Sequence, residues 1–446
     1  MNRRIHRQIS ALSEAHQTGG LSRRGFVMGL LQLGLSTAAV ASIAADFRPA
    51  YAAAKSLKGH VRFLVGPWSE GEIAHHKHIA EAFNVLHPDV TFDFRLYQWG
   101  TAAQEIGASV AGGGHDIYMT TESSYPDYQA GTGFADLTAR INDPAFAAEK
   151  AKYLYWERTE SYGPKLLGLP ISWHVEDALF VNMDKVREAG HDASFIDSWD
   201  AFADCIARMT KEGETYGLGI GIQLGGYGEW YQRLRSAGGS YLTPDLKKPN
   251  VNLPDVVKVT EQMADLFKKG IAPPLGTYSY DAAPAAFAAG KLAILSSDLA
   301  GTTVLPKKVP FDWKLLPYPP GPVSQVNFND VTYYMVNAKS PDQDLMWEVI
   351  TFWTNGANDA YWADNSGTYP ARIDAAQSGY GTNAVPQLAE ALPLFEKHAV
   401  GLENFPQWAT VEGLAEAEIQ NCYTGKVTPA EAVANVEKIV IHEVGL

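Results

Sequence analysis

The sequence predicts an α/β fold of about two domains, on three observations. β-rich and amphipathic stretches alternate from residue 60 to about 130, which favours a parallel sheet with helices on both faces. About 390 residues remain once an N-terminal address segment is set aside, a length for about two domains. The alternation then breaks and resumes with new strands and helices toward the C-terminus, with no internal repeat or low-complexity segment.

The address segment comes first. "GGLSRRGFVMGLLQLGLSTAAVASIAA" spans residues 19–45, and after Arg24 no charged residue appears until Asp46. A membrane-spanning helix needs about 20 strongly apolar residues. This run is diluted by Gln32, Ser36, Thr37 and Ser42. Ala50-Tyr51-Ala52 then offers a small-x-small cleavage pattern. "SRRGFVM" resembles a twin-arginine export signal. Residues 1–54 are therefore expected to be a cleaved signal peptide rather than an uncleaved anchor. The mature chain is expected to be soluble and periplasmic, with no cysteine near the cleavage site to carry a lipid.

Charge narrows the partners. The presequence holds six basic residues and two acidic ones, so its removal takes the net charge from −14 to −18. Nucleic-acid binding needs basic patches to offset phosphate, and anionic membranes are disfavoured for the same reason. Cys205 and Cys422 are the two cysteines. The compartment permits a bridge between them, but two half-buried thiols on helices are the simpler expectation. All 11 Trp lie in the mature part, beside 21 Tyr. Some of these rings belong to the core, and some are expected to serve as flat platforms for the apolar face of a sugar.

The elements follow from local patterns. "HVRFLVG" alternates and reads as a first strand. In "EIAHHKHIAEAFNVLHP", Ile79, Ala82, Phe83 and Leu86 share a helix face, and Pro88 stops it. "VTFDFRL" is a second strand, "TAAQEIGASVAGG" a helix stopped by glycines, "HDIYMTT" a third strand, and a short helix follows near Tyr125–Ala130. Leu167–Pro170 is a short extended piece and "ALFVNM" a strand. "SWDAFADCIARMTKEG" is a helix with Ser198 as N-cap. "AFAAGKLAILSSDLAG" pairs a short helix with a buried strand, and "FDWKLLPYPPGP" is a strand entering a Pro-rich loop. "DVTYYMVNA" is another strand and "PDQDLMWEVITFWTN" a helix. The C-terminal part from about Val385 reads as helical, with breaks at Pro393, Pro406 and Gly425.

In order and spacing, several of these segments match one family: "EAFNVLHPDVTFDF", "GHDIYMTTE", "LGLPISWHVEDALFVNMDKVREAG", "SWDAFADCIARMTKEG", "FAAGKLAILSSDLAG" and "WADNSGTYPAR". The chain resembles the extracellular solute-binding proteins of ABC importers, in the branch that binds sugars and oligosaccharides. Ile294, where the family usually has Met, and "NFNDVTYYMVNA", which lacks its usual glycine pair, depart from the pattern. The resemblance implies a two-lobed periplasmic binding protein fold, with crossing hinge strands and a ligand cleft. It places one lobe at 55–168 plus 330–370 and the other at 169–329 plus 371–446. It further implies a monomer that hands a small-molecule ligand, a carbohydrate, to an inner-membrane permease, with no cofactor and no catalysis.

Ligands of open α/β sheets bind beyond the carboxyl ends of strands, so the loops there supply the candidates. In the first lobe these are Trp68 and Glu70, Gln98 and Trp99, and Glu122 and Ser123. In the second they are Trp173 and His174 after the Leu-Pro strand, and Trp230 in "GGYGEWYQRL" as the favoured stacking ring. Ser297, Asp298 and Gly301, Asn329 and Asp330, Tyr369 and Arg372, and Trp408 complete the set. Planar amides and carboxylates suit paired hydroxyls, and loss of the Trp230 ring is expected to weaken binding by about 1–3 kcal/mol. Acidic loops favour neutral or cationic ligands, while Arg372 keeps acidic sugars open; polyols, polyamines and glycerol phosphodiesters are the alternatives.

Two other classes are less well supported. "HHKH" puts His75 and His78 three apart near Glu72, but Lys77 would repel a cation and no second ligand cluster is visible in the sequence. A glycosidase needs two carboxylates flanking a bond. Glu70 and Glu122 are a candidate pair, but nothing in the sequence marks either as desolvated, and no nucleophile elbow, zinc-protease helix or phosphate loop accompanies them.

Overall fold

The structure, a computed structural model, describes residues 57–446 apart from 70, 221–228, 280–281, 306–308 and 382–384, together with Arg23–Gln32 and scattered positions nearby. Glu70, the glycines of "GGYG" and the cleavage motif at 50–52 lie outside the described residues. In chain order the strands are β1 (Lys58–Val65), β2 (Asp89–Leu96), β3 (Ile117–Thr121), β4 (Gly168–Val175), β5 (Ala178–Asn182), β6 (Tyr216–Ile220) and β7 (Ser240–Leu242). They continue with β8 (Pro249–Asn250), β9 (Leu292–Ser297), β10 (Trp313–Leu316), β11 (Asn327–Val336), β12 (Tyr369–Pro370) and β13 (Ala399–Val400).

The chain forms two compact α/β units. Unit 1 comprises Met1–Trp173 and Val331–Ala384; unit 2 comprises His174–Asp330 and Val385–Leu446. The boundaries differ from those expected at 168/169, 329/330 and 370/371. β4 and β11 are continuous strands that run through the first two crossings. Residues 371–384 stay with unit 1 because their backbone and side chains are tied there. Leu154 donates to the Ala371 carbonyl at 2.7 Å and Ile373 to the Lys152 carbonyl at 2.8 Å. Arg372 also pairs with Glu149.

The sheet running through unit 1 has the order β12-β4-β11-β3-β1-β2. β1 pairs in parallel with β2, from Lys58↔Asp89 to Val65↔Leu96, and with β3. The expected parallel sheet is in fact mixed: β11 brings the chain back into the unit and runs antiparallel to β3, with Thr332 opposite Thr121. The helix Glu72–Leu86 lays Ile79, Ala82 and Phe83 against this sheet. Phe83 meets Phe352 edge-on at 5.2 Å, and Phe63 stacks on Trp353 at 5.2 Å. Burying each such ring contributes roughly 1.5–3 kcal/mol. In Arg23–Gln32, Phe26 and Leu30 are spaced i, i+4 and join a small apolar cluster with Val85. Among the described residues no helix is long and apolar enough to cross a membrane.

Unit 2 holds a four-stranded sheet of order β10-β5-β9-β6. β5 and β9 are buried along their whole length, as strands covered on both faces are. The helix Trp199–Met209 starts where expected, with Ser198 Oγ accepting from the Ala201 N–H at 3.2 Å. Pro393 does not break the chain as expected. The helix Pro386–Glu396 runs through it, because Leu388, Ala391 and Phe395 stay buried on one face and packing outweighs one lost backbone bond. Gly425 follows the helix Trp408–Tyr423 with φ of 75°, and a capping box at Thr428 and Glu431 opens Pro429–Val444. Cys205 and Cys422 are free and buried.

Candidate functional site

In unit 1 an aromatic platform forms beyond the carboxyl ends of β1 and β2. β1 ends at Val65, and Gly66 follows. A Cβ on Gly66 would come within 2.7 Å of the Tyr97 hydroxyl and 2.9 Å of the Trp99 ring, so only glycine lets these loops close up. Trp68 meets Trp99 edge-on at 5.1 Å and Trp362 at 6.1 Å. Trp99 is half-buried and also contacts Tyr97 at 5.2 Å, while Gln98 is exposed beside it. The backbone turns here because Glu105 accepts from the Gln98 N–H at 3.2 Å and from Thr101 at 2.7 Å. Trp362, which the sequence reading left out, anchors the platform from below. Its Nε1–H donates to Glu72 at 2.7 Å, and Glu72 lies 3.0 Å from His76 Nε2.

The remaining unit 1 candidates are engaged in the fold. Glu122 is fully buried: it accepts from Arg158 and, at 3.2 Å, from the Val331 N–H. These contacts make it one partner of an ion pair that ties β11 to the segment around Arg158. Ser123 Oγ lies 2.8 Å from Thr121 Oγ1. Trp173 and Tyr369 sit opposite one another on β4 and β12 with ring centroids 4.6 Å apart, both buried, so they are core residues. Arg372 is buried too, donating to Asp374 at 2.8 and 2.9 Å and to Glu149 at 2.9 Å over the Tyr153 ring. Its charge is already neutralised, which removes the reason to expect an acidic ligand there. Tyr155 is half-buried, sets its ring edge-on to Trp173 and is held at φ of 56°, a conformation uncommon for non-glycine residues. The "HHKH" histidines pack rather than ligate. His78 stacks on Tyr361 at 4.4 Å, His75 lies 3.3 Å from its hydroxyl, and His76 accepts from Trp353 at 3.2 Å.

Unit 2 overturns both of its tryptophan candidates. Trp230 lies on the helix Glu229–Ser236 with 2% of its surface exposed, and its Nε1–H donates to Thr260 at 3.0 Å. Trp408 is fully buried, edge-on to Tyr231 at 5.4 Å, with Nε1 donating to Glu403 at 3.2 Å. Both rings therefore fill the core of unit 2, because each helix turns its tryptophan inward. Asp298 caps the turn Leu299–Thr303 by accepting from the Gly301 N–H at 3.1 Å. Gly301 is a packing glycine, since a Cβ would meet Ser297 Oγ at 3.2 Å and Phe180 at 3.3 Å.

The polar part of unit 2 is gathered where β4 ends and β11 begins. His174 Nε2 lies 3.0 Å from Glu176 Oε1. One atom each of His174, Glu176 and Asp330 lies within 4.8 Å of the others, a group able to hold a metal ion in principle, although no metal was expected from the sequence. The local sequence hides it, because Asp330 sits on a strand far along the chain. Asn329 is fully buried next to it. The Phe328 N–H donates to Gln232 at 2.8 Å and the Glu176 N–H to the Phe328 carbonyl at 3.0 Å, which fixes the two strands together. Burial pushes Glu176 well above the usual carboxylate range, and the negative charge of Asp298 adds to it. Burial pushes His174 down, against the opposing pull of Asp330 and Asp298. Burial and Glu229 push Asp177 up, while Ser296 and Arg233 oppose.

The bacterial extracellular solute-binding protein family model matches residues 73–360. The chain belongs to that family. It is 22% identical over 379 residues to a binding protein of Brucella abortus, covering 83% of this chain and 90% of that one. Its fold is similar to an ABC substrate-binding protein from Listeria monocytogenes in complex with cycloalternan, with a TM-score of 0.76, 17% identity, and coverage of 87% of this chain and 100% of that one. It is also similar to maltose-bound T. maritima MalE3, with a TM-score of 0.74, 20% identity, and coverage of 86% and 99%. The two-lobed periplasmic binding protein fold expected from the resemblance is the fold of these neighbours.

Proposed function

We propose that this chain is the periplasmic substrate-binding component of an ABC importer, capturing a carbohydrate and delivering it to an inner-membrane permease. The observation that carries this reading is the Trp68–Trp99 platform at the strand ends of unit 1, in a chain of the solute-binding family. Flat rings cover the C–H face of a sugar, and the exposed Gln98 amide offers a donor and an acceptor to adjacent hydroxyls. Fold neighbours crystallised with cycloalternan and maltose support the carbohydrate class. The polar groups of His174, Ser297, Asp298, Asn329 and Asp330 in unit 2, and Ser123 and Glu70 in unit 1, remain in the proposed binding set. The chain acts as a monomer without catalysis, and the "SRRGFVM" segment directs export of the folded protein through the twin-arginine translocase before cleavage near residue 52.

The test is a thermal-shift screen of the purified protein against oligosaccharides, monosaccharides, polyols and polyamines. A ligand at 100 times its dissociation constant adds about 2.7 kcal/mol of stability. The expected result is a stabilising sugar, recovered chemically unaltered. Sugar turnover, or stabilisation confined to non-carbohydrates, would overturn the reading.

A further inference from the structure

Resting on the export reading of residues 1–54, we infer that the leader docks on the folded mature part of unit 1 in the uncleaved chain. Phe26 and Leu30 of the helix Arg23–Gln32 close over Val85 and Leu86, at the end of the helix Glu72–Leu86. This seat withholds the leader's apolar stripe from the membrane until the translocase displaces it. The first argument is what the contact covers. Phe26 and Leu30 lie one turn apart on one face, 1% and 0% exposed, while Met28 on the other side is 49% exposed. Ile9, Val40 and Ile43, from before and after the helix, join the same buried cluster. Leu12 packs so closely that a Cβ on Gly29 would come within 2.7 Å of it. Val85 completes the cluster from the mature chain, with Leu86 packed against it. At about 100° per residue, Val85 stands about 120° round the helix from Ile79. It is therefore outside the stripe of Ile79, Ala82 and Phe83 that faces the sheet. Its burial comes from leader side chains instead.

The second argument is the tether. The Leu57 N–H donates to His87 Nδ1 at 3.4 Å, and β1 begins at the next residue, Lys58. His87 directly follows Leu86, so the mature chain starts beside the seat. Docking is then intramolecular, and a short link keeps the effective concentration high enough for a small apolar contact to hold. The third argument is length. The helix Arg23–Gln32 has 10 residues, and an isolated helix of that length is marginal in water. Its order draws on packing, which Val85 and Leu86 supply from outside the leader. An amphipathic helix binds a membrane surface through its apolar face. With Phe26 and Leu30 buried on unit 1, that face is occupied.

Hydrogen exchange of the purified full, uncleaved chain tests this, with Phe26→Ser and Val85→Asp as variants. Amides of residues 26–33 should exchange at least about tenfold more slowly than unstructured chain. Both variants should abolish that protection, and Phe26→Ser should also speed exchange at residues 83–87 while β1 to β3 keep theirs. Phe26→Ser leaves the mature chain untouched, so it decides if Val85→Asp misfolds. Flotation with vesicles of phosphatidylethanolamine and phosphatidylglycerol should recover at least about tenfold more of the variants than of the parent chain. Leader amides exchanging at unstructured rates in the parent chain would overturn the docking. Protection that survives Val85→Asp in a natively folded chain, or residues 83–87 unmoved by Phe26→Ser, would show a leader folded only on itself and overturn the seat. Vesicle binding equal in parent and variants would overturn the withholding. A docked leader on a chain that stays uncleaved in the cytoplasm would overturn the export reading and leave the contact standing.

Discussion

Two sets of buried carboxylates, one in each unit, are held in different ways, although Asp359 of unit 1 is itself pushed well above the carboxylate range by burial. In unit 1, Glu72 accepts from Trp362 and faces His76, and Glu122 accepts from Arg158 and from the Val331 backbone. In unit 2, burial pushes Asp177, Glu229 and Glu416 up, neighbouring carboxylates add to the rise of Asp177 and Glu416, and each has an oxygen without a hydrogen-bond partner among the described residues. A carboxylate with a fixed cation or donor stabilises the fold it sits in. A crowd of carboxylates with one arginine among them destabilises its own ionised form. Both units close tryptophans into their cores, Trp173, Trp353 and Trp362 in unit 1 and Trp230 and Trp408 in unit 2, and each leaves a half-buried one near a strand or helix end, Trp99 and Trp199.

The largest effects should come from breaking what is buried and paired. Glu122→Ala leaves Arg158 without its partner, and losing one member of a buried pair costs about 3–5 kcal/mol. Trp408→Ala removes a fully buried ring, for a loss of about 3–5 kcal/mol. Urea unfolding should show both losses. A Trp408→Ala protein that keeps its stability but loses ligand would restore the stacking role expected from the sequence and collapse the contrast between the units.

A pH series sharpens the comparison next. Burial pushes Glu229 up to about 7, against the opposing pull of Arg233 and Tyr423. Burial, followed by Glu412, Glu176 and Glu229, pushes Glu416 up to about 9. A carboxylate whose native pKa lies above its unfolded value binds its proton more tightly when folded. The folded state is then favoured below the unfolded pKa, and that advantage disappears as pH rises through the native pKa. Unit 2 should therefore lose stability between about pH 4.5 and 9. In unit 1, Asp116 is held low: burial raises it, but hydrogen bonds from Arg62 and Ser340 outweigh that, so its contribution is lost only as pH falls below the usual carboxylate range. Each kcal/mol should lower the melting temperature by roughly 2–4 °C, and Glu416→Gln should flatten the alkaline limb. A melting temperature indifferent to pH from 5 to 9 would count against an ionisation penalty in unit 2.

The fold was more legible in the sequence than the site. β1, β2, β3 and the helix Glu72–Leu86 were readable because their periodicity is local, and Ser198 announced its helix by its own side chain. The antiparallel entry of β11 was not readable, since strand direction depends on a long-range return. Loop position singled out Trp68 and Trp99 separately as ligand candidates, and the structure brings their rings to 5.1 Å of one another. It failed for Trp230, Trp408, Glu122 and Arg372, because a residue near a loop can still be turned inward by its helix or claimed by a distant partner. Nothing near Asp330 in the sequence announces His174 and Glu176; only pairing between the chain around β4 and β11 brings them together.

The smallest expected effect on folding is also the most discriminating for function. Trp99 is half-buried, and its contacts are edge-on rings of Trp68 and Tyr97, each such pair contributing about 0.5–1.5 kcal/mol. Trp99→Ala should lower stability by about 1 kcal/mol, far less than Trp408→Ala, because much of its surface is already in water. If the ring receives a sugar face, the same change should weaken binding by about 1–3 kcal/mol, since the ligand then loses an apolar surface that nothing else in the loop replaces. Calorimetry and thermal unfolding on the two variants would separate the cases. Affinity falling in Trp99→Ala while stability falls in Trp408→Ala assigns the ligand ring to unit 1. A Trp99→Ala protein with unchanged affinity leaves the unit 1 platform as packing alone, and the polar cluster of unit 2 would then have to carry recognition without an aromatic surface.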